Sequence, residues 1–270
     1  MYNRILVPVD GSSFSNQMLP LVGAIAKTTG AQVALYRAVE KADKLADVEQ
    51  ELKALASQHG AEAVVAEVHG DVAEAIHAEA ARVPGTLVAI TSHGRSGVLR
   101  AVLGSTALNV LRSGGDPILV YRPDERHPEA NLAVADIQHI VVPLDGSELS
   151  ESILPQAVQL AKWLKARLVV VSVIDPEVAR GAGLPAGDVM ESAYVHRQAI
   201  NLQRDHGVNA GWEVLHGKPD EAIPQFVRSL PHCMLAMTTR GRSAVQSGLL
   251  GSVTVAAVRD GGVPIYTRMP

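Results

Sequence analysis

The chain has 270 residues, of which 47% are apolar and only 3% aromatic, so we expect two domains with mostly aliphatic cores. The formal net charge of −4 and the lack of a basic cluster disfavour a nucleic-acid partner. The single cysteine, Cys233, lies in an apolar run, which predicts a core residue and excludes an internal disulfide or a cysteine-based metal site.

The apolar runs are short. None approaches about 18 residues, so the sequence predicts no transmembrane helix and no membrane partner. An apolar stretch begins at residue 5 and leaves no room for a signal peptide before it. We therefore expect a cytoplasmic location by elimination.

Apolar runs alternate with helical spacing of apolar residues along the first half of the chain. Such alternation predicts right-handed βαβ crossovers and an α/β fold with helices on both faces of a parallel sheet. Ser12 or Ser13 is the predicted N-cap of the first helix, and Asp71 that of the third. Predicted strands cover 5–10, 31–39, 63–69, 87–91 and 117–121, and predicted helices cover 14–28, 43–59, 72–83 and 107–112.

A loop rich in glycine follows the fourth predicted strand and leads into the helix at 107. Glycine lets a ligand approach backbone N–H groups closely, and Ser105 is the predicted N-cap of the helix. A helix N-terminus suits phosphate, because its N–H groups and its dipole favour negative charge. The loop also follows the carboxyl end of a strand, where open α/β sheets place ligands. This pattern indicates a phosphate site.

The second half of the chain repeats the first. Residues 140–147, Ile-Val-Val-Pro-Leu-Asp-Gly-Ser, match residues 5–12, Ile-Leu-Val-Pro-Val-Asp-Gly-Ser, at an offset of 135, while the glycine loops match at an offset of 147. The twelve extra residues (147 − 135) fall around 175–187 and predict a mobile insertion loop. The repeat predicts domains at 1–123 and 137–270, joined by a polar linker at 124–136.

These motifs resemble the universal stress protein family in its tandem two-domain form, once per half and over nearly the whole chain. The resemblance rests on the Pro-Val-Asp-Gly-Ser and Pro-Leu-Asp-Gly-Ser starts, the two glycine loops, and the closing segments 116–120 and 263–266. It implies two doubly wound α/β domains, each a five-stranded parallel sheet of the Rossmann-like, adenine-nucleotide α-hydrolase-like type. It also implies that the two fifth strands pair antiparallel, so that one chain mimics a family dimer and can self-associate further as a homodimer.

The nucleotide-binding branch of this family has a motif of Gly, two residues, Gly, nine residues, Gly, and then Ser or Thr. The second and third glycines match in both halves, as Gly94 with Gly104-Ser105 and as Gly241 with Gly251-Ser252. Thr91 and Thr238 stand where the motif has its first glycine. Their branched side chains predict weaker binding or a changed pose of the ligand.

The resemblance implies a role for each matching position. The aspartate after the first strand contacts ribose, the glycine loop binds the phosphates of ATP, and the backbone at the end of the second strand contacts adenine. Arginines in the loops add charge-assisted hydrogen bonds to phosphate. The implied nucleotide contacts are Pro8, Asp10, Ala38, Thr91, Gly94, Arg95, Gly104, Ser105 and Thr106 in the first half, and Pro143, Asp145, Val173, Thr238, Gly241, Arg242, Gly251, Ser252 and Val253 in the second.

The implied function is that of a cytoplasmic stress protein that binds ATP, with or without Mg2+, in one or both domains and regulates an unknown protein partner. A weak Mg2+-dependent ATPase and a scaffold that has lost nucleotide binding remain as alternatives. The sequence has no P-loop, no nucleophile elbow and no obvious general base, so we assign no catalytic residue and expect at most slow hydrolysis. Asp10 and Asp145 also fit plain turn residues, and the glycine loops also fit plain packing elements.

Overall fold

The computed structural model describes residues 1–40, 45–92, 103–123, 136–176, 188–241 and 250–270. Contacts divide the chain into two compact units, Met1–Asp136 and Ile137–Pro270. The predicted linker lies at 124–136, and all but its last residue is outside the described ranges, so the predicted domain limits stay a prediction. Most of the predicted insertion, from 177 to 187, is also outside them.

The first unit alternates strands and helices as the sequence predicts. Its described strands form a parallel sheet in the order β3-β2-β1-β4-β5, so the chain reverses direction across the sheet between β1 and β4. The elements are β1 (Arg4–Pro8), α1 (Ser13–Asn16), α2 (Leu19–Thr29), β2 (Gln32–Val39), α3 (Leu45–Gln58), β3 (Glu62–Glu67), α4 (Val72–Arg82), β4 (Thr86–Thr91), α5 (Ser105–Ser113) and β5 (Ile118–Tyr121).

The second unit has the same architecture. Its described strands form a parallel sheet in the order β8-β7-β6-β9-β10, with the reversal between β6 and β9. Its elements are β6 (His139–Pro143), α6 (Glu148–Glu151), α7 (Leu154–Leu164), β7 (Arg167–Ile174), α8 (Asp188–His206), β8 (Ala210–His216), α9 (Pro219–Ser229), β9 (Cys233–Thr238), α10 (Ser252–Asp260) and β10 (Ile265–Arg268). The predicted doubly wound α/β class is confirmed in both units.

Aliphatic side chains of the central strands form the two cores. Ile5 and Leu6 of β1 and Ile140 and Val141 of β6 have no exposed surface, because helices cover both faces of each sheet. Burying such side chains is the main favourable term in folding, at about 25 cal/mol per Å² of apolar area. The scarcity of aromatic residues therefore leaves the stability of the fold to packed Leu, Ile, Val and Ala.

The first helix of the first unit differs from its prediction, since it is broken. The sequence predicts one helix at 14–28, but the structure has α1 and α2, separated at Gln17 and Met18. Pro20 lies in the first turn of α2, where its missing N–H costs nothing, whereas inside a longer helix it would remove a hydrogen bond. The predicted cap Asp71 is confirmed, because its Oδ1 accepts a hydrogen bond from the N–H of Ala73 at 2.8 Å.

A buried ion pair ties β1 to α4 in the first unit. Arg4 is 3% exposed, and its Nη2 lies 2.9 Å from Oε1 of Glu79, which is 8% exposed. The repeat places His139 and Phe226 at the equivalent positions of the second unit. The pair is therefore particular to the first unit. It is supported on the Arg4 side by Glu62 at 3.4 Å and on the Glu79 side by Arg82 at 3.0 Å, but Glu79 is the closest and most buried partner of Arg4.

We expect Glu79→Ala to lower the free energy of unfolding by about 3 kcal/mol, because it leaves the Arg4 guanidinium buried without its closest partner. Urea denaturation followed by circular dichroism measures the loss. Lys53→Ala is the matched control, since its ion pair with Glu49 is exposed and is expected to contribute less than about 0.5 kcal/mol. Equal losses in the two variants would contradict a special role for the buried pair.

Cys233 is a core residue, as the sequence predicts. It is 2% exposed, its thiol donates to the carbonyl oxygen of Val227 at 3.2 Å, and burial raises its pKa to about 12. In the unfolded chain a thiol ionises near pH 8.5. The folded state therefore keeps the proton longer, and this contribution to stability is complete below about pH 8.5 and declines as the pH rises toward 12.

We expect the wild type to lose about 1–2 kcal/mol more of its unfolding free energy between pH 8 and pH 10 than a Cys233→Ala variant does. Denaturation at the two pH values measures the difference, and a thiol reagent should label Cys233 only after unfolding. A native protein that reacts at pH 8 as fast as a free thiol would refute the buried, protonated state.

Candidate functional site

A cavity of about 550 Å³ lies at the carboxyl ends of the strands in the first unit. It is bordered by the ends of β1, β2 and β4, by the first turn of α5, and by side chains of α3 and α4. This is the point at which the strand order reverses, where parallel α/β sheets form their binding crevice. The volume falls within the roughly 300–1,000 Å³ of typical ligand pockets.

The turn after β1 places a carboxylate in this cavity. Oδ1 of Asp10 accepts hydrogen bonds from the N–H of Ser12 at 2.9 Å and from its hydroxyl at 2.6 Å. Ser12 in turn is the N-cap of α1, since its hydroxyl oxygen accepts from the N–H of Ser15 at 3.1 Å. Asp10 is therefore a turn residue, as the simpler interpretation holds, and it also lines the cavity.

The first turn of α5 borders the other side of the cavity. The prediction of Ser105 as N-cap is wrong by one residue: the N-cap is Gly104, which has extended backbone angles, and Ser105 opens the helix. The N–H of Gly104 donates to the carbonyl oxygen of Ser92 at 2.6 Å and thereby fixes the start of α5 beside the end of β4. Ser105 and Thr106 are exposed at the cavity, and N–H groups of a first helical turn have no partner within the helix.

The second unit repeats both of these arrangements. Oδ1 of Asp145 accepts from the N–H of Ser147 at 3.0 Å and from its hydroxyl at 2.6 Å. Gly251 is the N-cap of α10, and its N–H donates to the carbonyl oxygen of Thr239 at 2.8 Å. The cavity between them, however, measures only about 110 Å³. Ser252, like Ser105 in the first unit, is the first residue of its helix and not the N-cap.

The small volume of the second cavity reflects contacts of its glycine loop. Gly241 lies so close to Asp145 that a methyl group on its Cα would overlap Oδ2 of the carboxylate. The hydroxyl of Thr238 donates to the carbonyl oxygen of Arg240 at 2.7 Å, and that of Thr254 donates to Thr239 at 3.2 Å. Ala107 occupies the position of Thr254 in the first unit and has no such hydroxyl.

The threonines in the motif are buried at the ends of the fourth strands. Thr91 is 4% exposed and Thr238 is 3% exposed, so both side chains pack into the protein. For Thr238, the hydroxyl supports the loop backbone through its bond to Arg240. A structural role for this threonine is therefore visible.

The two cavities also differ in charge, a feature that the sequence analysis missed. Arg37, near the end of β2, lines the first cavity. The equivalent residue of the second unit is Ser172, whose hydroxyl donates to Glu191 of α8 at 2.8 Å. In the sequence, the signal for this difference is a positively charged residue, Arg37, within the otherwise apolar run 33–39.

Further side chains of α8 complete a polar network in the second unit. The hydroxyl of Tyr194 donates to Oε1 of Glu151 at 2.6 Å, and the amide of Gln198 donates to the same oxygen at 3.0 Å. Burial, followed by the hydrogen bond to Glu151, raises the pKa of Tyr194 well above its usual range, and the charge of Asp145 acts in the same direction. Glu151 and Glu191 are thus both hydrogen-bonded within the protein, while Asp145 is the acidic residue that lines the second cavity.

Every described residue of the predicted sites borders one of the two cavities. Pro8, Asp10, Ala38, Thr91, Gly104, Ser105 and Thr106 line the first. Pro143, Asp145, Val173, Thr238, Gly241, Gly251, Ser252 and Val253 line the second. Gly94, Arg95 and Arg242 lie outside the described residues.

Among the described residues, no group of three or more His, Cys, Asp or Glu side chains is arranged to hold a metal ion. No helix in the described part of the chain has both the length and the apolar character needed to cross a membrane.

Comparison with known proteins gives a family for both halves. The model of the universal stress protein family matches residues 1–122 and again residues 136–266. A universal stress protein of Methanocaldococcus jannaschii is 27% identical over 135 residues, which are 47% of this chain and 78% of that protein. A universal stress protein of Mycobacterium tuberculosis is 28% identical over 185 residues, which are 66% of this chain and 60% of that protein.

The solved structures agree with this family match. The crystal structure of a universal stress protein from Archaeoglobus fulgidus superposes with a TM-score of 0.72, although its sequence is only 20% identical. The superposition covers 100% of this chain and 99% of the other, so the similarity of fold extends over both units. Together with the double family match, it establishes that the chain belongs to the universal stress protein family and carries the family domain twice.

Proposed function

We propose that the first unit binds an adenine nucleotide. The observation that carries the proposal is the 550 Å³ cavity, which brings Asp10 together with the first turn of α5. These are the two features that the family resemblance assigns to ribose and to phosphate. Ala38, at the end of β2, lines the same cavity and supplies backbone for contact with the base.

The chemistry of the lining supports this orientation of the ligand. A carboxylate accepts hydrogen bonds from ribose hydroxyls but repels phosphate, so Asp10 suits the sugar. The N–H groups at the start of α5 and the hydroxyls of Ser105 and Thr106 suit the phosphates. A Mg2+ ion would then be held mainly by the phosphates, since such ions commonly keep few protein ligands beside a nucleotide.

We propose that the second unit holds no nucleotide in its described conformation. A cavity of about 110 Å³ is below the size of ordinary ligand pockets, and Gly241 covers the Asp145 oxygen that is not bonded to Ser147. The charges of Asp145, which lines this cavity, and of Glu151, which acts with it on Tyr194, also disfavour an anionic ligand. One nucleotide per chain, in the first unit, follows from this difference.

The role that we propose is regulation through binding. A nucleotide shifts the balance between conformations when it binds one of them more tightly, and this would alter contacts with a protein partner or with a second copy of the chain. We propose a cytoplasmic location for this role. The alternatives of slow ATP hydrolysis and of a pure scaffold predict, respectively, release of ADP and no binding at all.

We expect Asp10→Ala to weaken ATP binding by about tenfold or more, because it removes an ionised acceptor for ribose hydroxyls. Asp145→Ala is the matched control: it removes the same turn bonds in the second unit and should leave the affinity within about twofold. Titration calorimetry measures affinity and stoichiometry, and native mass spectrometry counts the bound nucleotides.

Other outcomes separate the alternatives. Two nucleotides per chain, or equal losses in the two variants, would contradict the assignment to the first unit alone. An absence of binding by the wild type, with and without Mg2+, would remove the nucleotide proposal and favour a scaffold.

The contact that closes the second cavity has its own test. We expect Gly241→Ala to lower the unfolding free energy by about 1–3 kcal/mol, because the new methyl group overlaps a carboxylate that Ser147 holds in place. Urea denaturation followed by circular dichroism, which reports on both units, measures the loss. Gly115→Ala is the control, because a methyl group at Gly115 meets nothing within 4 Å. An unchanged stability of Gly241→Ala would show that the loop does not rest on Asp145.

A further inference from the structure

Arg37 holds a defined position at the edge of the first cavity. It lies on β2, and the neighbouring pair Pro8 and Tyr36 sets β2 in register with β1 just before the turn at Asp10 and Gly11. A methyl group at Gly11 would overlap the guanidinium of Arg37, so the arginine lies directly against this turn. Gly11 also has a φ of +81°, which L side chains rarely adopt. The turn thus leaves room for the Arg37 guanidinium because Gly11 has no side chain.

The sheet order separates Arg37 from the phosphate end of the cavity. β2, β1 and β4 are consecutive neighbours, so the ends of β2 and β4 are two strand spacings apart, roughly 10 Å. Asp10 follows β1, between them. The cavity therefore has a guanidinium at one side, the N-terminus of α5 at the other, and a carboxylate in the middle.

The second unit shows that this cation is not needed for the fold. Ser172 takes the position of Arg37 and donates to Glu191, while Glu151 accepts from Tyr194 and Gln198. The same region of the sheet is thus stable with carboxylates and no guanidinium. The positive charge of Arg37 is therefore not required by the architecture that the two units share.

We propose that the first unit selects a nucleotide that carries a phosphate on the 2′ or 3′ position of its ribose, in addition to phosphate at 5′, and that Arg37 binds this second phosphate. This rests on the proposed function, which places ribose at Asp10 and the 5′-phosphate at α5. A guanidinium binds phosphate in a bidentate manner, and it compensates the repulsion that Asp10 alone would exert. The remaining ribose hydroxyl still donates to Asp10.

The same division of roles is known from dinucleotide-binding folds in general. There a carboxylate accepts from free ribose hydroxyls, and an arginine nearby accommodates a ribose phosphate. In this chain the two kinds of group occur together, on adjacent strands of one sheet. A ligand with one ribose hydroxyl and one ribose phosphate uses both of them.

The test compares ligands that differ by one phosphate on the full chain. Titration calorimetry gives the affinities for AMP, adenosine 3′,5′-bisphosphate and adenosine 2′,5′-bisphosphate. We expect at least one bisphosphate to bind about tenfold or more tightly than AMP, and we expect Arg37→Ser, which copies the second unit, to bring this ratio close to one. Arg37→Lys should keep part of the preference, since it retains the charge without the bidentate geometry.

Arg112→Ser is the control, because it removes one exposed positive charge from the last turn of α5, away from the cavity, and should leave the ratio as in the wild type. A wild-type ratio near one, with AMP bound, overturns the selection and leaves the proposed function intact. A preference that persists in Arg37→Ser also overturns it, by assigning the second phosphate to another group. If no adenine nucleotide binds, the proposed function fails as well.

Discussion

One backbone hydrogen bond at the base of each glycine loop determines where the site lies. Gly104 donates to Ser92 in the first unit, and Gly251 donates to Thr239 in the second. Each bond holds the first turn of a helix beside the end of the fourth strand. Because the first and fourth strands are neighbours, the helix N-terminus then lies next to the aspartate turn. A favourable place for an anion and an acceptor for hydroxyls are thereby brought together by backbone geometry alone.

The same geometry yields different sites in the two units because side chains of neighbouring elements differ. In the first unit, Arg37 borders an open cavity. In the second, Ser172 donates to Glu191, Tyr194 donates to Glu151, and the loop glycine lies against the Asp145 carboxylate. Desolvated groups that already have such partners gain little from a ligand. The contrast therefore favours the first unit as the binding unit.

The sequence predicts the strands, helices and turns of the fold well, because these depend on patterns of residues close together in the chain. Apolar runs, the Asp71 cap and the repeat of the Asp-Gly-Ser turn all involve residues close in the chain. The break at Gln17 and Met18 escaped prediction because helical spacing of apolar residues continues across it. The small volume of the second cavity was not predicted from the sequence, because Asp145 and Gly241 are far apart in sequence and meet only in the folded unit. Arg37 was not predicted for the same reason, since it meets Gly11, in the turn after β1, only in the folded unit.

The internal repeat has a consequence for how the two sites can evolve. In a protein assembled from identical separate chains, every substitution changes all copies of a site at once. Here the cavities of about 550 Å³ and about 110 Å³ are encoded separately within one polypeptide, so one can change while the other is preserved. The two units are also always made in equal number. Tandem duplication therefore provides a fixed one-to-one pairing of a unit that retains an open crevice with a unit whose crevice is free to acquire another use.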